Sequence, residues 1–278
     1  AVSEAAERGI EFAFGAEMEF YLFKLDEYGK ATTLPHDQAS YMDIAPDDKG
    51  EHIRREICLM LEQMGIQPES SHHESGPGQN EIDFRYSDPL TAADNAITFR
   101  AVVRTVAAQN GLCASFQPKP LSDRDGSGMH INISARDGGT ADLLPTVIAG
   151  LLDKIAEITL FLNPSEESYR RLGCDKAPRS RFPAAVGEQR RAELRSADST
   201  ANPYLAYALL IYAGLYGISH KLALPPASDF NLYTAPAQAL QTLQALPDSL
   251  GEAIALAETS PFVRAHLPES VLCAFGLK

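Results

Sequence analysis

The sequence is poor in cysteine, and its four cysteines have no spacing that points to a metal site or a disulfide framework. Cys58, Cys113, Cys174 and Cys273 are spread over 278 residues, and none is part of a CxxC or CxH motif. Four cysteines are also too few to stabilise a chain of this length through disulfides. We therefore expect reduced thiols and a cytoplasmic location.

Long apolar segments free of helix breakers are also missing. The longest uncharged stretch, residues 199–219, is long enough to cross a bilayer, but it contains Asn202, Pro203, four tyrosines and two glycines. This pattern favours a buried helix over a membrane span. Residues 1–12 carry acidic side chains and lack an apolar core, so no signal peptide is predicted.

Basic side chains are in the minority, with 24 lysines and arginines against 37 aspartates and glutamates and a formal net charge of −13. Such a surface repels a phosphate backbone, which argues against nucleic acid as the main partner. Hydrophobic residues make up 45% of the chain and charged residues 22%, as in ordinary globular proteins.

Capping residues and alternation predict a mixture of helices and strands without an internal repeat or linker. Predicted helices cover 49–64, 91–110 and 145–162, and two more begin after Asn202 and after Ser249, where Glu252 is expected to complete a capping box. Strand-like alternation occurs at 15–23, 80–86, 128–134 and 191–196. These elements predict one α+β domain.

The predicted strands each carry a polar face that is rich in potential metal ligands. With a period of two, the residues that share such faces are Glu17 with Glu19, Glu81 with Asp83, His130 with Asn132 and Ser134, and Glu193 with Arg191 and Arg195. A solvent-exposed sheet face is the alternative for any single strand. Four such faces together favour bound divalent cations, because clustered carboxylates repel one another and Mg²⁺ or Mn²⁺ prefers oxygen ligands.

The loop that leads into the second acidic strand adds a further carboxylate. Residues 71–81 place Glu74 on a bend containing Gly76, Pro77 and Gly78, which can fold that carboxylate over the sheet. For the preceding His72 and His73, packing or nucleotide contact is favoured over metal ligation.

Several long motifs in the same order resemble the catalytic domain of glutamine synthetase of the bacterial type I. The motifs are GAEMEF (15–20), HHESGPGQNEID (72–83), TAADNAITFR (91–100), PKP with DGSGMHINIS (118–134), FLNPSEESYRRL (161–172) and RAELRSADSTANPYLAYALLIYAGL (191–215). The resemblance covers residues 1–278 as one catalytic domain. It implies a curved antiparallel sheet with a polar concave face, backed by helices.

The resemblance also implies an ATP-dependent ligase that joins ammonia to glutamate through a γ-glutamyl phosphate, with two Mg²⁺ or Mn²⁺ ions. By the family pattern, Glu19, Glu74 and Glu81 hold one ion, and Glu17, His130 and Glu193 hold the other. The remaining roles implied by the resemblance are as follows: Arg171 and Arg195, with His130, in catalysis; Arg171, Arg195 and Gly126 for glutamate; Arg181 and Arg191 for ATP phosphates; Glu69, Tyr86, Asn132 and Ser134 in the nucleotide pocket. Stacked hexameric rings are the expected assembly.

The sequence departs from the family pattern at three places. Lys176 stands where the family has a flap glutamate, with Asp175 as a conceivable substitute, and Asp125 replaces an asparagine beside the substrate glycine. The family's small N-terminal β-grasp domain has no match in the chain. These departures leave two alternatives open: a related γ-glutamyl ligase for another amine, and an inactive binding or assembly protein. Tyr233 matches a regulatory adenylylation position, although we interpret it as an ordinary loop tyrosine.

Overall fold

One antiparallel sheet with helices packed against it forms the framework of the protein. The computed structural model describes residues 1–139, 142–173, 190–226 and 245–277, together with the backbone of 180–181. The strands are β1 (Glu11–Leu25), β2 (Ala31–Pro35), β3 (Pro68–His73), β4 (Gln79–Phe84), β5 (Leu112–Ser115), β6 (Met129–Arg136), β7 (Ser180–Arg181) and β8 (Ala192–Leu194). The predicted α+β class with an antiparallel sheet is confirmed.

The long central strand β1 organises the sheet. The strand order is β3-β4-β1-β6-β8-β7, while β2 and β5 also pair with β1 towards its C-terminal end. All of these pairs are antiparallel. The four strands predicted from alternation correspond to β1, β4, β6 and β8.

Alternation along β1 assigns one face to the core. Ala16, Met18, Phe20 and Leu22 are buried with almost no exposed surface. Phe20 packs against Phe99 and other aromatic rings on the helix side of the sheet. Burial of these apolar side chains is the main stabilising contribution to the sheet, and it forces the residues between them onto the opposite face.

Nine helices occur in the described part of the chain. They are α1 (Val2–Glu7), α2 (Glu51–Gln63), α3 (Pro89–Gln109), α4 (Leu144–Leu162), α5 (Glu166–Leu172), α6 (Pro203–His220), α7 (Leu250–Thr259), α8 (Pro261–His266) and α9 (Glu269–Ala274). The helices predicted from capping residues correspond to α2, α3, α4, α6 and α7. Across these described residues, no helix is long and apolar enough to span a bilayer.

The predicted helix caps are confirmed in one case and corrected in another. The Asn202 side chain accepts hydrogen bonds from the backbone amides of Tyr204 and Leu205 at the start of α6. Ser249 caps α7 by accepting from the amide of Glu252. The predicted capping box is nevertheless wrong, because the Glu252 carboxylate accepts from the amide of Asp248 and not from that of Ser249.

Helices α4 and α6 approach closely because glycines face each other at their crossing. A β-carbon at Gly217 would overlap the carbonyl oxygen of Thr146, and one at Gly150 would overlap that of Ala213. The small residues therefore allow backbone-to-backbone contact between two helices whose facing sides are buried. Helix α6 also packs against the sheet, because the ring of Tyr207 stacks on that of Phe14 in β1 with centroids 4.6 Å apart.

We predict that Gly217→Ala lowers the free energy of unfolding by ~1–3 kcal/mol, because the added methyl group overpacks the helix crossing. Chemical denaturation monitored by circular dichroism measures the change. Gly251→Ala is the matched control, since Gly251 lies on the exposed side of α7 with only Ser249 Oγ near its β-carbon position. That control is expected to be neutral or stabilising by ~0.5–1 kcal/mol, and equal losses in both variants would contradict the packing explanation.

Candidate active site

The polar face of the sheet is assembled by the pairing of β1 with β4 and β6. Glu19 lies opposite Glu81 of β4, and Glu17 lies between Asp83 of β4 and His130 of β6. Directly paired residues of antiparallel strands project to the same side of the sheet. Four acidic side chains and one imidazole are thereby collected in one patch.

Three carboxylates from this patch and its neighbouring turn form the first acidic group, which consists of Glu19, Glu74 and Glu81. Each contributes one oxygen, and these oxygens lie within 4.8 Å of one another. Glu74 belongs to the turn between β3 and β4, where its amide donates to the carbonyl of Gln79 at 2.9 Å. Gly78 in this turn has φ of 69°, a left-handed conformation that favours glycine.

The second acidic group consists of Glu17, His130 and Glu193. His130 Nδ1 lies 3.2 Å from Glu17 Oε2 and 3.7 Å from Glu193 Oε1. Asn132 Nδ2 donates to Glu17 Oε1 at 2.8 Å, and the Arg195 guanidinium donates to Glu193 Oε1. The carboxylates of this group therefore have a histidine and an arginine as partners in the structure.

The two acidic groups are contiguous. A carboxylate oxygen of Glu81 lies within 4.8 Å of ligand atoms of both Glu17 and His130. His130 Nε2 is 3.7 Å from Glu19 Oε1. The structure thus brings together all six side chains that the family pattern assigns to two metal ions.

The loop before β6 is attached to the first acidic group. The amide of Gly128 donates to Glu19 Oε2 at 2.6 Å, and Gln79 Nε2 donates to the carbonyl of Gly126 at 3.1 Å. Arg171 packs directly over this loop, because a β-carbon at Gly126 would overlap its side chain. A backbone turn and a guanidinium group therefore border the carboxylates on one side.

A cavity of about 400 Å³ lies on the other side of the second acidic group. The four predicted nucleotide-pocket residues, Glu69, Tyr86, Asn132 and Ser134, all line it, and so does Arg191, which is predicted to contact ATP phosphates. Arg191 Nε donates to Asn132 Oδ1 at 2.8 Å. Glu17 and Asp83 also border this cavity, which connects it to the acidic patch.

The carboxylates of the patch have too little positive charge near them to balance their own negative charge. Burial raises the pKa of Glu19, and burial with the charges of Glu19 and Glu81 raises the pKa of Glu74 to about 7. Burial, Glu81 and Glu17 raise the pKa of Asp83 to about 8. Asp83 Oδ1 is buried without a hydrogen-bond partner among the described residues.

Histidines supply part of the missing positive charge. The hydrogen bond from His72 to Glu81 raises the pKa of His72 to about 9, despite partial burial. Burial lowers the pKa of His130, but the hydrogen bond to Glu17 and the charge of Glu19 outweigh this and raise it. For Glu17, burial is opposed by hydrogen bonds from His130 and Asn132, and its pKa is lowered.

This donor set fits hard divalent cations. Buried carboxylate oxygens with one imidazole match the preferences of Mg²⁺ and Mn²⁺, and the raised pKa values show that more positive charge would stabilise the ionised cluster. By contrast, no cysteine sulfur is among the candidate ligands in the described part of the chain. The residues present therefore fit the two ions that the resemblance implies.

A buried network behind the first acidic group was not predicted from the sequence. His73 Nε2 lies 3.0 Å from Asp37 Oδ1, and the same oxygen accepts from the amide of Gly78 at 2.8 Å. His73 is fully buried, and its Nδ1 lies 2.6 Å from the carbonyl oxygen of Glu74. These bonds hold the turn that carries Glu74, so the packing role favoured for His73 agrees with its position. His72 contacts Glu81 instead.

This network is already satisfied without a cation. Asp48 forms a buried ion pair with Arg54, whose Nη2 lies 2.6 Å from Asp48 Oδ2. Asp37 Oδ2 accepts from the amide of Lys49 at 3.1 Å. Although Asp37, Asp48 and His73 are close enough to ligate a metal ion, their polar atoms are used in protein hydrogen bonds.

Some predicted positions lie outside the described residues. They are Asp175 and Lys176 of the flap region, the side chain of Arg181, and Tyr233. Asp125 is described: its side chain is exposed, and its carbonyl oxygen accepts from the Tyr21 hydroxyl at 2.6 Å.

The sheet holds two adjoining groups of potential metal ligands beside a polar cavity. The family model of the glutamine synthetase catalytic domain matches residues 1–276, and the chain belongs to this family. It is 42% identical over 279 aligned residues to a glutamine synthetase of Clostridium saccharobutylicum, covering 91% of this chain and 63% of that protein. It is also 41% identical over 271 aligned residues to a glutamine synthetase of Staphylococcus aureus, covering 88% of this chain and 61% of that protein. The chain thus spans about three fifths of the length of these curated relatives.

Solved structures share the fold. Ligand-free GmaS superimposes with a TM-score of 0.85 at 28% identity, over 99% of this chain and 69% of that one. The cryo-EM structure of Plasmodium falciparum glutamine synthetase superimposes with a TM-score of 0.81 at 20% identity, over 99% of this chain and 73% of that one. At 20% identity, this second similarity is evidence for the fold alone.

We predict that Glu81→Gln removes most of the increase in melting temperature that Mn²⁺ produces in the parent protein. Glu81 adjoins ligands of both acidic groups, so the loss of its charge weakens both sites, and ligand-induced stabilisation follows affinity. Differential scanning fluorimetry with and without Mn²⁺ measures this shift. Glu27→Gln, an exposed carboxylate in the β1–β2 turn, is the control and retains the parent shift. An undiminished shift in Glu81→Gln refutes the assignment.

We further predict that stabilisation by Mg²⁺ grows with pH. The raised pKa values of Glu74, about 7, and Asp83, about 8, mean that the metal-free folded state binds protons that the unfolded state has released. Metal-free stability therefore falls as pH rises through these values, while competition between protons and Mg²⁺ decreases. Melting curves between about pH 6 and about pH 8.5 test this. A Mg²⁺ shift that is constant or declines over this range would count against it.

Proposed function

We propose that the chain is the catalytic domain of an ATP-dependent ligase that forms glutamine from glutamate and ammonia through a γ-glutamyl phosphate. The observation that carries this proposal is the contiguous pair of acidic groups beside a cavity lined by Arg191 and a loop covered by Arg171. Relatives at 41–42% identity are glutamine synthetases, which supports the same activity. Cytoplasmic location is part of the proposal.

Each acidic group would hold one Mg²⁺ or Mn²⁺ ion. We assign the first ion to Glu19, Glu74 and Glu81, and the second to Glu17, His130 and Glu193. When bound, the two ions supply positive charge for the phosphate and carboxylate oxygens that meet during phosphoryl transfer. Hydrogen bonds from Gly128 and Asn132 fix the orientation of Glu19 and Glu17 before any ion arrives.

The cavity beside the second acidic group is assigned to ATP. Tyr86 is half-exposed and offers a ring face for stacking, while Asn132 and Ser134 offer polar atoms. Arg191 provides a guanidinium for phosphate oxygens at the end nearest the carboxylates. Glu69 lies at the rim. Arg181 is assigned to phosphate by motif position only, because its side chain lies outside the described residues.

Glutamate is assigned to the opposite side, near the loop at Gly126. Arg195 is the guanidinium next to the second acidic group, where it can pair with an oxygen of the transferred phosphoryl group. Arg171 lies over Gly126, and its guanidinium also donates to the carbonyl oxygens of Ser196 and Ala197. These hydrogen bonds hold the arginine side chain beside the loop to which we assign the substrate carboxylate.

A related γ-glutamyl ligase that uses another amine is the second candidate. The exposed Asp125 carboxylate stands beside the proposed glutamate loop and would favour a cationic amine. GmaS, which shares the fold at 28% identity, is a gamma-glutamylmethylamide synthetase. An assembly of stacked hexameric rings is proposed with either activity, and a binding protein without phosphoryl transfer is the third outcome.

The whole protein, expressed with any segments that flank this chain, is predicted to release ADP from ATP when glutamate, Mg²⁺ and ammonia are all present. Coupled ADP assays with ammonia, methylamine and a polyamine compare kcat/KM for each amine. Arg195→Gln is expected to lower kcat/KM by ~100-fold or more, as is usual when a group that stabilises developing charge is lost. Arg55→Gln, an exposed arginine on α2, is the control. Preference for another amine selects the second candidate, and no ADP release with any amine selects the third.

A further inference from the structure

A second cavity lies along the same strand as the acidic patch but has the opposite electrostatic character. Its volume is about 430 Å³, and it is bordered by Phe23 of β1, Phe116, and Arg100 and Arg104 of α3. Among the described residues, no aspartate or glutamate lines it. In a chain with 37 acidic and 24 basic side chains, a pocket with two arginines and no acid is a distinct feature. We call it the arginine pocket.

In the described parts of the chain, the two arginines have no carboxylate partner. Arg100 and Arg104 are four residues apart on α3 and lie on one face of the helix, where like charges repel. Among the described residues, neither takes part in an ion pair: Arg100 donates to the carbonyl oxygen of Ser199, and Arg104 lies over the ring of Phe116, 5.4 Å from its centroid. Burial and the charge of Arg104 lower the pKa of Arg100. An anion between them would relieve this repulsion.

A buried hydroxyl group at the pocket is also without a hydrogen-bond partner in the part of the chain that the structure describes. Ser199 is 2% exposed, and its Oγ has no hydrogen-bond partner among the described residues. A buried hydroxyl without a hydrogen-bond partner is unfavourable. A ligand oxygen that accepts a hydrogen bond from this hydroxyl would offset the cost of its desolvation. Ser115 and Gln117 also border the pocket and add polar atoms. The hydrogen-bond donors at this pocket therefore suit a ligand that is rich in acceptor oxygens.

The arginine pocket is separate from the acidic patch. Phe23 lies four residues beyond Glu19 on β1, which corresponds to ~14 Å along the strand. Tyr21 lies between Glu19 and Phe23 on the strand, its ring stacks on that of Phe23 with centroids 5.5 Å apart, and its hydroxyl donates to the carbonyl oxygen of Asp125. A ligand in the arginine pocket thus need not contact the acidic groups, and the inference does not depend on the proposed activity.

We propose that the arginine pocket binds a small oxyanion, a phosphate- or carboxylate-bearing molecule, through Arg100, Arg104 and the hydroxyl of Ser199. The guanidinium groups pair with its charged oxygens, and the Ser199 hydroxyl donates one hydrogen bond. Phe23 and Phe116 supply apolar walls for a short uncharged part of the ligand. The cavity volume is at the lower end of the range for small-molecule sites.

Isothermal titration calorimetry of the whole protein with inorganic phosphate and, separately, with malonate tests the proposal, with chloride at the same ionic strength as reference. We expect saturable binding of at least one probe. Arg104→Gln and Ser199→Ala are each expected to weaken it, Arg104→Gln by ~10-fold or more because a charge-assisted hydrogen bond is lost. Stronger binding of phosphate or of malonate identifies the preferred oxyanion class.

Two controls locate the bound probe. Arg55→Gln makes the same charge change on the exposed side of α2 and should leave the affinity unchanged. Arg191→Gln removes a cation from the other cavity and therefore reports on any probe that binds there instead. Melting temperatures without probe verify that each variant is folded. The proposal is overturned if neither probe binds, or if Arg191→Gln abolishes binding while Arg104→Gln and Ser199→Ala retain it.

Discussion

The register between β1 and its two neighbours is the constraint on which the site depends. Pairing with β4 and β6 sets Glu19 beside Glu81 and Glu17 beside His130. Because side chains alternate between faces, a slip of one residue would turn the carboxylates of β1 into the core and expose Met18 and Phe20. The position of the acidic patch and the formation of the core are therefore consequences of one choice of register.

This coupling explains how the fold can hold repelling carboxylates in place. The face of β1 opposite the patch is packed with buried aromatic and aliphatic side chains, among them Phe20 and Leu22. Burial contributes ~1.5–3 kcal/mol for each large apolar side chain, so a few of them offset the repulsion between neighbouring acids. Backbone amides such as that of Gly128, and the buried Asp37–His73 pair behind the Glu74 turn, then fix each carboxylate in one orientation.

Alternation within strands made much of the fold and the acidic patch predictable from the sequence, and contacts between distant residues account for the rest. Glu17, Glu19 and Glu81 were gathered on polar faces by their spacing alone, and Asn202 was recognised as a cap. Asp37 and His73 are 36 residues apart, so no local sequence pattern predicts their hydrogen bond. Strands β3 and β5 were missed because PESSHH and LCAS lack clear alternation and are strands only through pairing with β4 and β1.

The acidic patch and the arginine pocket both border β1, at positions four residues apart, Glu19 and Phe23. The backbone positions of these two residues are ~14 Å apart along the strand, and at such a distance a unit charge pair interacts by only ~0.3 kcal/mol in water and ~1.2 kcal/mol at an effective dielectric constant of 20. Within 4 Å the same arginines would form ion pairs with the carboxylates and neutralise them. Tyr21, whose ring stacks on that of Phe23, lies between these two positions on the same face of the strand. In the described part of the chain, neither Arg100 nor Arg104 forms an ion pair with the patch, so the carboxylates stay free for cations and the two arginines stay free for an anion.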